Sequence, residues 1–307
     1  MENDKRLILL INCLYLCCPI ALWAAKVVLF CPINDLLYTF FLFFLFIQTL
    51  CMTIFEAIIL AIVEGITEYL PISSTGHLII TNKILGIAED DFSKLFIVCI
   101  QFGTILSVVA LYWRRFLQSI DFYMKLFIGF LPAAVIGFLA SDYIDDLLDN
   151  VWVVGLMLII GGIFLLFIDR LFPHAGVNIQ KPVYNSTALK IGFFQCLALI
   201  PGVSRSAATI IGGMANGLNR QQAAEFSFFL AVPTMFAASC YNLLKHHDLI
   251  TRENLGILLL GNVVGFLVAI VAIRTFIDFL TKHGFQLFGY YRIIVGVIVL
   301  LMATMLQ

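Results

Sequence analysis

Glu64-Gly65-Ile66-Thr67-Glu68-Tyr69-Leu70-Pro71-Ile72-Ser73-Ser74-Thr75-Gly76-His77 sets two acids, a proline, a run of hydroxyls and a histidine inside apolar sequence. The uncharged stretch 69–82 that holds most of it is 14 residues long. A helix needs about 20 apolar residues to cross a bilayer, so this stretch is too short for one crossing. With Pro71 as a breaker, it reads as half of a re-entrant hairpin. A second segment has the same character: Ile200-Pro201-Gly202-Val203-Ser204-Arg205-Ser206, flanked by the 14-residue stretches 191–204 and 206–219. Irregular backbone at membrane depth is tolerated only where protein or trapped water satisfies it. Two such breaks mark a site.

The rest of the chain supports a membrane solvent. Of 307 residues 62% are hydrophobic and 12% charged, with a mean hydropathy of +1.04 and a formal net charge of −1. A soluble domain carries about 25% charge, so a soluble enzyme, a disordered chain and a nucleic-acid binder are all excluded on composition. Uncharged runs cover 7–25, 36–55, 95–113, 126–141, 150–168, 226–244, 254–273 and 293–307.

A shift of 130 places Pro71 on Pro201, Ser74 on Ser204 and Thr75 on Arg205. Three spans follow each break, near 95–113, 122–141 and 151–169, then 225–243, 255–273 and 289–306. A returning hairpin plus three crossings is an odd number of passes, so the second half must enter upside down. The expected fold is an all-α polytopic membrane protein with an inverted-topology repeat, each half a re-entrant helical hairpin plus three transmembrane helices. Repeat 1 is 52–171 with hairpin 56–85, and repeat 2 is 172–307 with hairpin 188–219. Arg114, Arg115, Lys125, Arg170, Lys181, Lys190, Arg220, Arg274 and Lys282 fall on one side. Lys83, Lys94, Lys245, Arg252 and the acidic loop of Asp142, Asp145, Asp146 and Asp149 fall on the other. Basic loops stay cytoplasmic, which puts the Glu64–His77 hairpin entrance on the outer face.

Residues 1–51 form a hydrophobic N-terminal extension holding five of the eight cysteines, without metal-ligand spacing. It reads either as extra span or leader, or as the product of an upstream start codon with Met52 as the native start. The second reading is preferred.

Glu64 and Glu68, at i,i+4, share one helix face. Two carboxylates at that depth need an offset: a shared proton, a divalent cation such as Mg²⁺ or Ca²⁺, or Arg205. Ser73, Ser74 and Thr75 before Gly76 form an anion cradle where the chain re-enters a helix. Ser74 with His77 and a glutamate is the arrangement that activates a nucleophile or a water. Arg205, flanked by Ser204 and Ser206 and followed by Thr209, needs an anion, either phosphate or one of the glutamates. Gln101 is polar within a span and can line the cavity. The pairs Gly213–Gly217 and Gly261–Gly265 read as helix-packing motifs. GxxxxGK[ST], HExxH and GxSxG are absent, against an ATP-driven pump, a zincin or an α/β-hydrolase.

The Glu64–His77 and Pro201-Gly202-Val203-Ser204-Arg205-Ser206-Ala207-Ala208-Thr209 segments resemble the two signature motifs of the undecaprenyl-diphosphate phosphatase (bacitracin resistance protein) family. Ile100-Gln101-Phe102-Gly103 is similar to that family's pattern, and the resemblance covers about 52–307. It implies hydrolysis of the terminal phosphate of a C55-isoprenyl diphosphate, dependent on Mg²⁺ or Ca²⁺, in the bacterial inner membrane with the site open to the outer face. By motif position Glu64, Glu68, Ser74, His77 and Arg205 take the functional roles, with Glu64 and Glu68 on the metal. The phosphates fall to Arg205, Ser204, Ser206, Thr209, Ser73 and Thr75. Ser74 is the expected nucleophile, with His77 or Glu68 taking its proton; His77 or water as nucleophile stays open. The expected partners are the polyisoprenyl diphosphate and the bilayer, with bacitracin competing for the lipid and a homodimer as a candidate assembly. The alternatives are an anion or lipid-phosphate transporter, needing no nucleophile, and an intramembrane protease, needing neither Arg205 nor paired glutamates.

Overall fold

The computed structural model describes residues 52–87, 90–148, 150–177, 179–252 and 254–305. The expectation for residues 1–51 lies outside them, as do the side chains of the acidic loop. Among the described residues there is no strand, and the chain is an all-α polytopic membrane protein. Eleven α-helices longer than one turn follow in order: α1 (Ile54–Thr67), α2 (Ser74–Leu85), α3 (Asp91–Leu111), α4 (Ile120–Leu139), α5 (Ser141–Leu148), α6 (Val151–Leu171), α7 (Asn185–Cys196), α8 (Arg205–Ala215), α9 (Arg220–Lys245), α10 (Leu255–His283) and α11 (Gln286–Met305). Six of them, α3, α4, α6, α9, α10 and α11, are long and apolar enough to cross a membrane.

Polar caps start the long helices where the apolar runs begin. Asp90 accepts from the Ser93 N–H at 2.7 Å, Ser119 from Phe122 at 3.3 Å, Asn150 from Trp152 at 3.1 Å and Asn219 from Gln222 at 2.8 Å. Each bond satisfies one of the donors a helix start leaves unpaired.

The short helices behave differently. α1 packs against α2, and α7 against α8, with a proline in each intervening break. A residue before proline is pushed out of the helical region, and Ile200, before Pro201, is extended at φ −80°, ψ 119°. The helices resume at Ser74 and Arg205, immediately after Ser73 (φ 67°) and Ser204 (φ 76°). These two serines are the non-glycine residues with positive φ among the described residues.

Ser73 and Ser204 are 131 positions apart (204 minus 73), and so are the first residues of α1 and α7, Ile54 and Asn185. The shift of 130 read from the prolines is therefore one residue short of the backbone correspondence. It is Ser74, not Thr75, that stands where Arg205 stands. The second break places two residues, Gly202 and Val203, between its proline and Ser204 where the first has only Ile72, and this shifts Pro201 by one position relative to the helix start.

α6 and α11 run antiparallel in close contact. A Cβ on Gly155 would meet Leu300 and the Gly296 carbonyl, while one on Gly162 would meet the Gly289 carbonyl. Gly261 and Gly265 press α10 onto α3, as their spacing predicts. Gly217 does not pack a helix: at φ +87° it turns the chain between α8 and α9, a conformation side chains disfavour.

Candidate active site

The two breaks meet around a carboxylate. Glu68 continues the last turn of α1, its N–H bonded to the Glu64 carbonyl at 2.9 Å. Its Oε1 lies 2.9 Å from Arg205 Nη2, with side chains only 9% and 13% exposed. Its Oε2 accepts from the Ser74 hydroxyl at 2.7 Å. One buried carboxylate thus joins a hydroxyl from the first break to a guanidinium from the second.

Arg205 is held on several sides. Its Nη1 donates to the Ser227 carbonyl at 3.0 Å, Nη2 contacts Met235 Sδ at 3.3 Å, and the guanidinium carbon lies 5.5 Å from the Tyr69 ring centre. Tyr69 is itself fixed, fully buried with its hydroxyl on the Thr104 carbonyl at 2.8 Å. Arg205 Nε has no acceptor among the described residues, which leaves one donor of this buried cation unpaired. Such a fork suits phosphate oxygens.

Glu64 is fully buried, and neither of its carboxyl oxygens meets a donor within strict hydrogen-bond geometry among the described residues, although the Glu68 and Gln101 side chains approach it. Glu68, Gln101 and Arg205 are the polar groups that face it. A buried carboxylate is costly unless paired or on a metal. The described residues contain no group of three or more His, Cys, Asp or Glu arranged to hold an ion. This donor set fits a hard cation of the Mg²⁺ kind, which takes one or two carboxylates and completes its shell with phosphate oxygens and water. Glu68 is committed to Arg205 and Ser74, so Glu64 is the carboxylate of the pair without an ion-pair partner among the described residues.

The remaining hydroxyls divide. Ser204 Oγ accepts from the Ala207 N–H at 3.3 Å and lies 3.0 Å from Ser206 Oγ. Ser206 donates to the Leu70 carbonyl at 2.6 Å, a second link between the breaks. Thr209 donates to the Arg205 carbonyl at 2.8 Å and lies 2.7 Å from Ser227 Oγ. Ser206 and Thr209 are fully buried and brace the loop in this arrangement. Ser73 is buried at the break, and Thr75 sits half-buried in the first turn of α2. Holding Ser73 and Ser204 at positive φ costs on the order of 1–3 kcal/mol each, strain of the kind that collects at functional sites.

His77 is turned elsewhere. Its Nδ1 is 2.8 Å from the Ser73 carbonyl, which can only accept, so Nδ1 carries the proton and Nε2 accepts from the Tyr291 hydroxyl at 2.8 Å. The two rings lie 10° from parallel. Neither hydrogen bond of His77 goes to Ser74. Tyr291 and Ser227 are site residues the sequence did not single out, for each sits in an ordinary span. An apolar cavity of about 730 Å³ adjoins the first break, walled by Ile66, Leu70, Val271, Phe276, Phe279 and Phe288.

The family model of the bacitracin resistance protein BacA matches residues 57–298. Relatives called undecaprenyl-diphosphatase include one from Flavobacterium johnsoniae, 56% identical over an alignment of 255 residues that covers 81% of this chain and 96% of the relative. Another, from Flavobacterium psychrophilum, is 53% identical over 253 residues, covering 81% and 96%. One from Bdellovibrio bacteriovorus is 51% identical over 253 residues, covering 82% and 96%. With a match that spans both breaks and reaches into every long helix, this chain belongs to the bacitracin resistance protein BacA family.

Proposed function

We propose that the chain hydrolyses undecaprenyl diphosphate to undecaprenyl phosphate and inorganic phosphate. The observation that carries the chemistry is Glu68, which accepts from Ser74 through one oxygen and binds Arg205 through the other.

In the reaction Arg205 leaves Glu68 and takes the diphosphate through its fork and the free Nε–H, balancing charge as the anhydride bond breaks. Ser74 Oγ attacks the terminal phosphorus in line while its proton passes to Glu68 Oε2. The lipid monophosphate departs and leaves a phosphoserine. Water then attacks that phosphorus, and the proton on Glu68 returns to Ser74 Oγ as the ester bond breaks and phosphate leaves. Ser204, Ser206 and Thr209 keep Arg205 in place, and Ser73 and Thr75 flank the transferred phosphoryl group. Mg²⁺ or Ca²⁺ held by Glu64, with Glu68 beside it and Gln101 along the wall, would supply positive charge to the diphosphate oxygens. His77, bonded to Tyr291 and the Ser73 carbonyl, stiffens the first turn of α2.

The wider setting is part of the same reading. The halves 52–171 and 172–307 form an inverted repeat, supported by the antiparallel α6–α11 pair and the constant spacing of helix starts. The site opens to the outer face of the bacterial inner membrane, as loop charges favour. The isoprenyl tail lies in apolar surface such as the cavity beside Leu70. The product feeds carrier lipid to peptidoglycan synthesis, and removal of the diphosphate deprives bacitracin of its ligand. The protein works as a monomer or a homodimer. A transporter would have no use for a hydroxyl on a buried carboxylate, and a protease none for Arg205.

Purified protein incubated with C55 or C15 isoprenyl diphosphate should release inorganic phosphate, and EDTA should suppress that release. Transport of the intact lipid without phosphate release would overturn the reading.

A further inference from the structure

Arg292 is the bulkiest side chain among the fully buried described residues, at 1% exposure, and no carboxylate pairs with it among those residues. Its five N–H groups all go to backbone carbonyls. Nε reaches Leu158 at 3.4 Å and Nη2 reaches Met157 at 3.2 Å, both on α6. The other three bonds go to the breaks: Nη1 to Pro71 at 3.2 Å and Val203 at 3.0 Å, and Nη2 to Gly202 at 2.8 Å. An arginine has five donors, so the capacity is used in full. A buried cation facing only dipoles is costly, and it is tolerated here because every donor is satisfied.

The position has a counterpart. Gly161 precedes Arg292 by the same 131 positions that separate Ser73 from Ser204. α6 and α11 cross there, and a Cβ on Gly161 would lie 2.8 Å from Arg292 Cζ. Two equivalent positions face each other at this crossing. One carries the arginine and the other is bare so that the arginine fits.

We propose that Arg292 is the positioning residue of the site: it ties the break at Pro71 to the break at Gly202–Val203 and so sets the distance from Ser74 and Glu68 to Arg205. This rests on the phosphatase reading given above. The breaks are also joined by the Arg205–Glu68 pair and by the Ser206–Leu70 bond. The first must open when Arg205 turns to phosphate. The Arg292 bonds involve no reacting group, so they hold the spacing through the cycle. A misplacement of about 1 Å can slow a reaction by roughly 10²-fold, and this gives the tie its leverage.

The test uses the full-length protein in nanodiscs, with R292Q, R292K, R292G and the exchange G161R/R292G. R292Q should lower kcat about 10²-fold, the scale of such misplacement, with little change in KM. R292K, which keeps the charge and three donors, should fall between wild type and R292Q. The exchange, which supplies the arginine from the opposite helix, should recover at least part of the kcat lost in R292G. In hydrogen exchange, amides of 69–76 and 200–207 should lose protection together in R292Q. If that variant fails to fold, R292K and the exchange carry the comparison. Wild-type kcat in R292Q, or lost protection confined to α6 and α11, would overturn the proposal and leave Arg292 a packing residue. A wild-type protein that releases no phosphate would instead remove the phosphatase reading, and the exchange pattern alone would decide the tie.

Discussion

Arg205 and Glu68, 137 residues apart in the chain, meet at 2.9 Å where two interrupted helices face each other, and Glu68 binds Ser74 at the same time. Neither charge is stable alone at that depth, so each offsets the other and the pair holds the two breaks together.

If the pair works this way, Arg205→Ala leaves Glu68 buried without its partner. Removing one member of a buried pair costs about 3–5 kcal/mol. Thermal unfolding in detergent should show that loss, and phosphate release should be abolished. The double variant Glu68→Gln/Arg205→Met should regain much of the stability and none of the activity. Additive stability losses would argue that the two side chains do not interact.

Ser74→Ala removes the hydroxyl that Glu68 accepts from. Phosphate release should fall at least about 10³-fold, the scale seen when a nucleophile is lost, while binding of the isoprenyl diphosphate persists. Rapid-quench analysis of wild type should trap phosphate on Ser74. Unimpaired turnover in the alanine variant would move the attack to water or His77.

Glu64 supplies a prediction about metal that needs no turnover. Its two oxygens meet no donor within strict hydrogen-bond geometry among the described residues, so a cation that binds there should stabilise the fold. At a concentration 100 times its Kd a ligand contributes about 2.7 kcal/mol. Mg²⁺ or Ca²⁺ should therefore raise the unfolding temperature of wild type and leave that of Glu64→Gln unchanged. An equal rise in both proteins would remove Glu64 from the cation site.

The two serines at positive φ allow a backbone test. Ser73→Gly and Ser204→Gly each relieve a conformation that glycine adopts freely, and stability should hold or rise by up to about 1 kcal/mol. Ser73→Val should lose at least about 1 kcal/mol, because a branched side chain there meets its own backbone. Circular dichroism melts would decide it, and a neutral valine would mean the break relaxes.

The Glu64–His77 and Pro201–Thr209 segments were legible as site because polar groups in apolar sequence are conspicuous, and the long spans because hydrophobic length is a local property. Arg292 was not. In the sequence it stands at the edge of an uncharged run, 293–307, and looks like the charge that closes a loop. Tyr291 and Ser227 are equally unremarkable in theirs. The partner of each lies in another helix, and no local spacing reports it.

The amino-acid order by itself settled that the chain lives in lipid, that its helices break twice, and which acids, hydroxyls and arginine gather near the breaks, since each of these follows from how much polarity a short stretch can carry into oil. Only the packed structure assigned Glu68 to Ser74 and Arg205, left Glu64 open, turned His77 toward Tyr291 and threaded Arg292 between the breaks. Those assignments depend on which helices touch and at what height, and that is decided by close contacts between residues far apart in the chain.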